Sequence, residues 1–228
     1  MTLTVQQAAR MLKISEQEVR RLVSVGELAA ERVGERVLAV DENSVRQRAS
    51  HRPSRGRPWT PAKAWAALWH LSGLEVDWLT AIETWRLRAK LELINADQLA
   101  IAARKRAQVE TGRILPDYLH RLTETKGVVR TGVSAAADAG ADLVTTGELV
   151  DVYCGPALRP ELIARYGISL TTQNPNVVLR TPEGGLQLLD GRDAMPAAVV
   201  AADLLDATEP RTARAGRDLL DQLLKATR

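Results

Sequence analysis

Ser15, Glu16, Gln17, Arg20 and Arg21 crowd into seven consecutive positions. A helix over 16–25 would turn Val19, Leu22 and Val23 inward and leave Glu16, Gln17, Arg20, Arg21 and Ser24 facing out. Guanidinium and amide groups on such a face can pair with phosphate or read base edges in the major groove. Arg32 and Arg36 flank Gly34, at the expected tip of a hairpin, where they would contact phosphate and so position the protein without specifying sequence. Ser15, Glu16, Gln17, Arg20, Arg21, Arg32 and Arg36 are therefore the candidate DNA-contacting residues.

The remaining chemistry-bearing residues point to no reaction. There is no phosphate-binding glycine loop, dinucleotide fingerprint, nucleophile elbow or paired-histidine zinc motif. His51, His70 and His120 are far apart in sequence. Asp138, Asp142, Glu148 and Asp151 are the one acidic group that strands could gather around a metal, but they lack the paired Asp-x-Asp of a nucleotidyltransferase site. Cys154 is the single cysteine and reads as a small buried hydrophobe. A binding protein is expected, not an enzyme, with no catalytic residues, no metal and no cofactor.

The elements that must position the arginines are plainly marked. Thr4 with Gln7, and Ser15 with Glu18, are capping boxes that open helices at about 5–12 and 16–25, separated only by a tight turn at Lys13 and Ile14. Gly26 supplies a left-handed stop. Residues 28–40 then read as a hairpin turning at Gly34, and Asp41 caps a last short helix. Two short helices followed by an arginine-bearing hairpin make a winged helix-turn-helix.

Leu3, Thr4, Val5, Ala8, Ala9, Leu12, Ile14, Ser15, Val19, Arg21, Leu22, Val23, Gly26, Glu27 and Leu28, followed by Arg32, Val33, Gly34 and Arg36, resemble the excisionase and MerR-related helix-turn-helix family over about the first 48 residues. The resemblance departs after the wing arginine, where Val37 and Leu38 stand in place of an aromatic or second basic residue. It implies that the second helix enters the groove of double-stranded DNA.

Residues 46–58 hold five arginines with Gly, Pro and Ser and no acid, the composition of a linker. All five tryptophans follow within 59–85. Thr60 with Pro61, Thr80 with Glu83, and Asn95 open helices; the Trp stripe reads as core, and Arg104, Lys105 and Arg106, being contiguous, splay around a helix as solvated charge. From Val128 the pattern changes to short strands at 128–129, 143–144 and 149–153, a helix at 160–166, a hairpin of 177–180 with 186–189, and two closing helices, from Pro196 and from a cap at Thr208. The fold class is α+β: a winged helix-turn-helix at 1–48, a basic linker at 49–58, a helical region at 59–127 and a mixed α/β domain at 128–228.

Val128, Val129, Gly132, Ser134, Ala135, Ala136, Val150, Val152, Tyr153, 176–180, Pro196, Val199, Val200, Asp203, Leu204, Leu205, Pro210 and Arg211 resemble the C-terminal domain of AbiEi-family antitoxins. That resemblance implies the regulator half of a type IV toxin–antitoxin pair: a repressor of its own operon whose C-terminal part counters a nucleotidyltransferase-type toxin. The alternative is a stand-alone transcription regulator or a phage-type excisionase, a recombination directionality factor.

The 228 residues are 45% apolar and 26% charged, a soluble globular composition. Residues 1–127 carry 21 Lys and Arg against 15 Asp and Glu, and 128–228 carry 10 against 13, so the DNA-facing end is basic and the other end suits a basic protein partner. No stretch approaches the roughly 18 apolar residues of a membrane span, and the N-terminus is unlike a signal peptide, so a cytoplasmic protein without a membrane partner is expected. Single helix-turn-helix units gain affinity from a second copy, which leaves room for a homodimer on DNA.

Overall fold

Thr4 ends the first strand and begins the first helix. Its amide donates to Gln7 Oε1 at 2.8 Å while the Gln7 amide donates to Thr4 Oγ1 at 3.1 Å, the reciprocal cap that the sequence marks. This computed structural model describes residues 2–12, 14–24, 28–33, 37–42, 44–45, 58–171 and 173–227. The chain divides into two units, Met1–Ser54 and Arg55–Arg228.

In the first unit, β1 (Thr2–Thr4) leads into α1 (Val5–Leu12) and α2 (Glu16–Ser24), followed by β2 (Ala30–Val33) and β3 (Val37–Asp41). The amide of Ile14 donates to Ala9 O at 3.1 Å and closes the turn between the helices. The hairpin forms as expected, with Arg32 opposite Leu38, but β3 also pairs with β1, giving an antiparallel sheet in the order β1-β3-β2. Three residues carry too little pattern to mark β1 in advance. Val5, Ala8, Ala9 and Leu12 of α1 meet Val19 and Leu22 of α2 and Val40 of β3 in one core. Ser44 ties the end of the sheet to the segment before it: its amide donates to Asp41 Oδ1 at 2.7 Å, and its hydroxyl accepts from the Ala29 amide at 3.2 Å.

The second unit contains α3 (Pro61–Leu71), α4 (Ala81–Leu91), α5 (Ala96–Ala103), β4 (Ala107–Arg113), α6 (Leu119–Thr123), β5 (Val128–Arg130), β6 (Val150–Cys154), α7 (Leu158–Tyr166), β7 (Ser169–Leu170), β8 (Val177–Pro182), α8 (Ala197–Leu205) and α9 (Pro210–Ala226). Its sheet runs β5-β6-β8-β4-β7, antiparallel except for the β6–β8 pair, which α7 joins by a crossover. β6 is buried throughout and separates two cores. Val150, Val152 and Cys154 face Leu122 and Leu162, whereas Tyr153 faces Trp65, Trp69 and the apolar run of α8. Trp65 is fully buried and stacks edge-on against both Trp69 and Tyr153, with centroids 5.6 Å apart in each case. α9 crosses α8 at Gly216, where an added Cβ would lie 2.4 Å from Leu205 N and 2.6 Å from Ala201 O.

Several expectations are corrected. The helix from Asn95 stops at Ala103, and β4 follows it; this strand shows little apolar alternation because much of it is solvent-facing. β4 belongs to the stretch read as helical, 59–127, yet it stands inside the sheet built by later strands. Residues 186–189 are not a strand: β8 lies between β6 and β4, so its hydrogen bonds are already taken. Residues 143–144 are irregular, with Val144 exposed, and α9 begins after Glu209 without a side-chain cap from Thr208. The basic linker lies, up to residue 57, outside the described residues.

Candidate nucleic-acid interface

Ser15 opens α2 by accepting the Glu18 amide at 3.1 Å on its Oγ. From that cap, Gln17, Arg20, Arg21 and Ser24 fall at i, i+3, i+4 and i+7, and all are exposed, as is Glu16; Val19 and Leu22 are fully buried beneath them. One helix face thus gathers five of the seven candidate residues, Ser15 at its entrance included.

The two arginines are held differently. Arg21 makes a bidentate pair with Glu18, Nε to Oε2 at 2.9 Å and Nη2 to Oε1 at 2.7 Å. Arg20 reaches Glu16 only at 3.7 Å, beyond hydrogen-bond length, with both side chains largely exposed. An exposed pair of that kind contributes about 0.3–0.5 kcal/mol, so exchanging Glu16 for phosphate or a guanine edge costs Arg20 little. Arg21 must first leave a fork-to-fork contact. Arg32 stands in β2 of the hairpin, and Arg36 lies outside the described residues.

A family model described as a helix-turn-helix domain matches residues 2–49. The first unit carries a helix-turn-helix domain. No curated protein and no solved structure matches the chain. In the helix-turn-helix domain α2 is the second helix, and the β2–β3 hairpin follows it.

Elsewhere, the acidic group suggested by sequence is dispersed. Asp138 pairs with Arg130 at 2.8 Å, and Asp151 is clamped by Arg180 at 2.7 and 2.9 Å. Among the described residues no three His, Cys, Asp or Glu side chains are placed to hold a metal ion. His120 lies 3.2 Å from Glu124 and His51 lies outside the described residues. Burial, and then Arg88, holds the His70 pKa below its usual value. Cys154 is fully buried, and burial pushes its thiol up to about 11. Among the described residues, no helix is long and apolar enough to cross a membrane.

Arg106 overturns its expected solvation. Arg104 and Lys105 are exposed, but Arg106 is 2% exposed, its Nη2 donating to Asp203 Oδ1 at 2.5 Å and to Asp206 Oδ2 at 2.6 Å. Asp203 also accepts from Thr131 Oγ1 at 2.5 Å and Tyr153 OH at 3.2 Å, and lies 3.1 Å from Arg180. Burial raises the Asp151 carboxyl to about 6 against the pull of Arg180. This network ties α8 to β6, β8 and the turn after α5. It is a structural lock, and its partners are too distant in sequence to have been paired by inspection.

The tryptophan stripe is core with one exception. Trp85 is 69% exposed, and with Ile82 it lines the outer side of α4, opposite buried Leu87 and Leu91. The sequence signal was present in the spacing of 82, 85 and 89 against 87 and 91, which places Trp85 and the two leucines on different faces.

Proposed function

We propose that this protein is a DNA-binding transcriptional regulator that acts as the antitoxin of a type IV pair, repressing its own operon and countering a nucleotidyltransferase-type toxin. The observation that carries the DNA half is the exposed α2 face, on which Gln17, Arg20 and Arg21 stand over a core that fixes the helix, with Arg20 only loosely engaged by Glu16. α2 enters the major groove; the wing, through Arg32 and Arg36, adds phosphate contacts. A homodimer binds two half-sites.

The antitoxin half rests on the resemblance of 128–228 to AbiEi-family antitoxins and on the character of the second unit. That unit has two hydrophobic cores and exposes Trp85, beside Ile82, on one helix face, and tryptophan is enriched where proteins meet. Its part in the pair is binding, without turnover. Co-expression with the product of the adjacent gene tests it. Rescue from a nucleotidyltransferase-like toxin, with co-purification of the two chains, supports the reading; an adjacent integrase whose directionality the protein controls contradicts it in favour of an excisionase.

A further inference from the structure

A cleft of about 470 Å³ opens between the end of α3 with the segment that follows it and the loop after β8. Trp69 and Trp78 form its aromatic wall, their rings edge to face at 6.1 Å, and the Trp78 indole N–H is fixed by Ala62 O at 3.0 Å. Glu75, Asp77 and Asp190 supply carboxylates, and Arg192 a single cation, so these four charges sum to −2. Among the described residues none of the four has an ion-pair partner within 4.0 Å. The Arg192 guanidinium instead lies over the Trp69 ring, 5.3 Å from its centroid.

This arrangement already shows the chemistry that it accepts: a planar cation laid on an indole face, with carboxylates at the rim and no ion pair holding it there. We propose that the cleft is the receptor for an arginine side chain on a basic surface of the partner protein, and that Arg192 occupies the seat until that side chain displaces it. The excess of carboxylates excludes a nucleic-acid phosphate and favours a cation. Arginine is preferred to lysine because its flat guanidinium can stack on Trp69 and still present N–H groups to Asp77 or Asp190. The inference rests on the reading of the second unit as a protein-binding part, and it names the chemistry of that contact.

The test uses the full chain and a blocked triarginine peptide, with trilysine and triglutamate as comparisons. Indole N–H signals in NMR locate binding, and calorimetry gives the affinity. Triarginine is expected to move the Trp69 and Trp78 signals and leave Trp85 in place. Asp77→Asn with Asp190→Asn, both at exposed positions, is expected to weaken binding by about fivefold or more, and Arg192→Ala to tighten it by emptying the seat. Equal response to triglutamate, or unchanged or weaker binding by Arg192→Ala, would overturn the assignment. A chain that neutralises its toxin but does not take triarginine also overturns it. A chain that takes triarginine at Trp69 and fails to neutralise keeps the cleft and removes the toxin as its partner.

Discussion

The Arg21 guanidinium is gripped at two points by the Glu18 carboxylate, one turn earlier on the same helix. On the surface proposed to meet DNA, Glu18 therefore restrains Arg21 and adds a negative charge. Glu18→Gln removes the charge while keeping the backbone amide that Ser15 caps. Its expected effect is tighter binding to DNA of any sequence and a steeper salt dependence, by up to about 0.9 in the log–log slope. Titration of labelled duplexes at several salt concentrations measures both; a shallower slope would show that Glu18 positions Arg21 for contact.

The wing makes a different prediction. If Arg32 and Arg36 touch phosphate, Arg32→Ala or Arg36→Ala lowers affinity on operator and unrelated DNA alike, and flattens the salt dependence by about 0.9 per lost contact. A loss confined to one base position would make them base readers.

The α1–α2 pair was legible because its signals are local. Thr4 with Gln7 and Ser15 with Glu18 mark helix starts within four residues, and Val5, Ala8, Ala9 and Leu12 repeat at helical spacing. β4 was not legible because a half-exposed strand lacks alternation and owes its place to β8, some 70 residues later. Arg106 misled for the same reason: its partners Asp203 and Asp206 are 97 and 100 positions away, and those carboxylates make its burial tolerable. The unequal hold on Arg20 and Arg21 was also hidden, since each has an acid one turn earlier and side-chain conformation decides which pair closes.

The buried network yields a stability prediction. Arg106→Met removes one of the two guanidinium groups that Asp203 and Asp206 share, Arg180 being the other, at an expected cost of about 3–5 kcal/mol, whereas Lys105→Met at the exposed neighbouring position should stay within about 0.5 kcal/mol. Every tryptophan lies in 59–85, so urea unfolding followed by indole emission reports the second unit alone. Similar midpoints for the two variants would contradict the lock.

Gly216→Ala separates packing from propensity. Alanine favours helix by about 1 kcal/mol, yet its Cβ would run into the backbone of α8, so α9 must shift. The variant is expected to lose about 1–3 kcal/mol in the same urea measurement. A stabilised protein would mean that the α8–α9 crossing yields readily.

The account turns on α2 as the DNA-reading element, and fluorescence anisotropy of the full-length protein on its own promoter, against a scrambled duplex, tests it most directly. With both arginines replaced, Arg20→Ala and Arg21→Ala, the preference for promoter over scrambled DNA is predicted to disappear, since each base contact carries about 1–3 kcal/mol of discrimination. Thermal unfolding should be nearly unchanged, as both side chains are exposed. An intact preference in that folded variant would contradict the account.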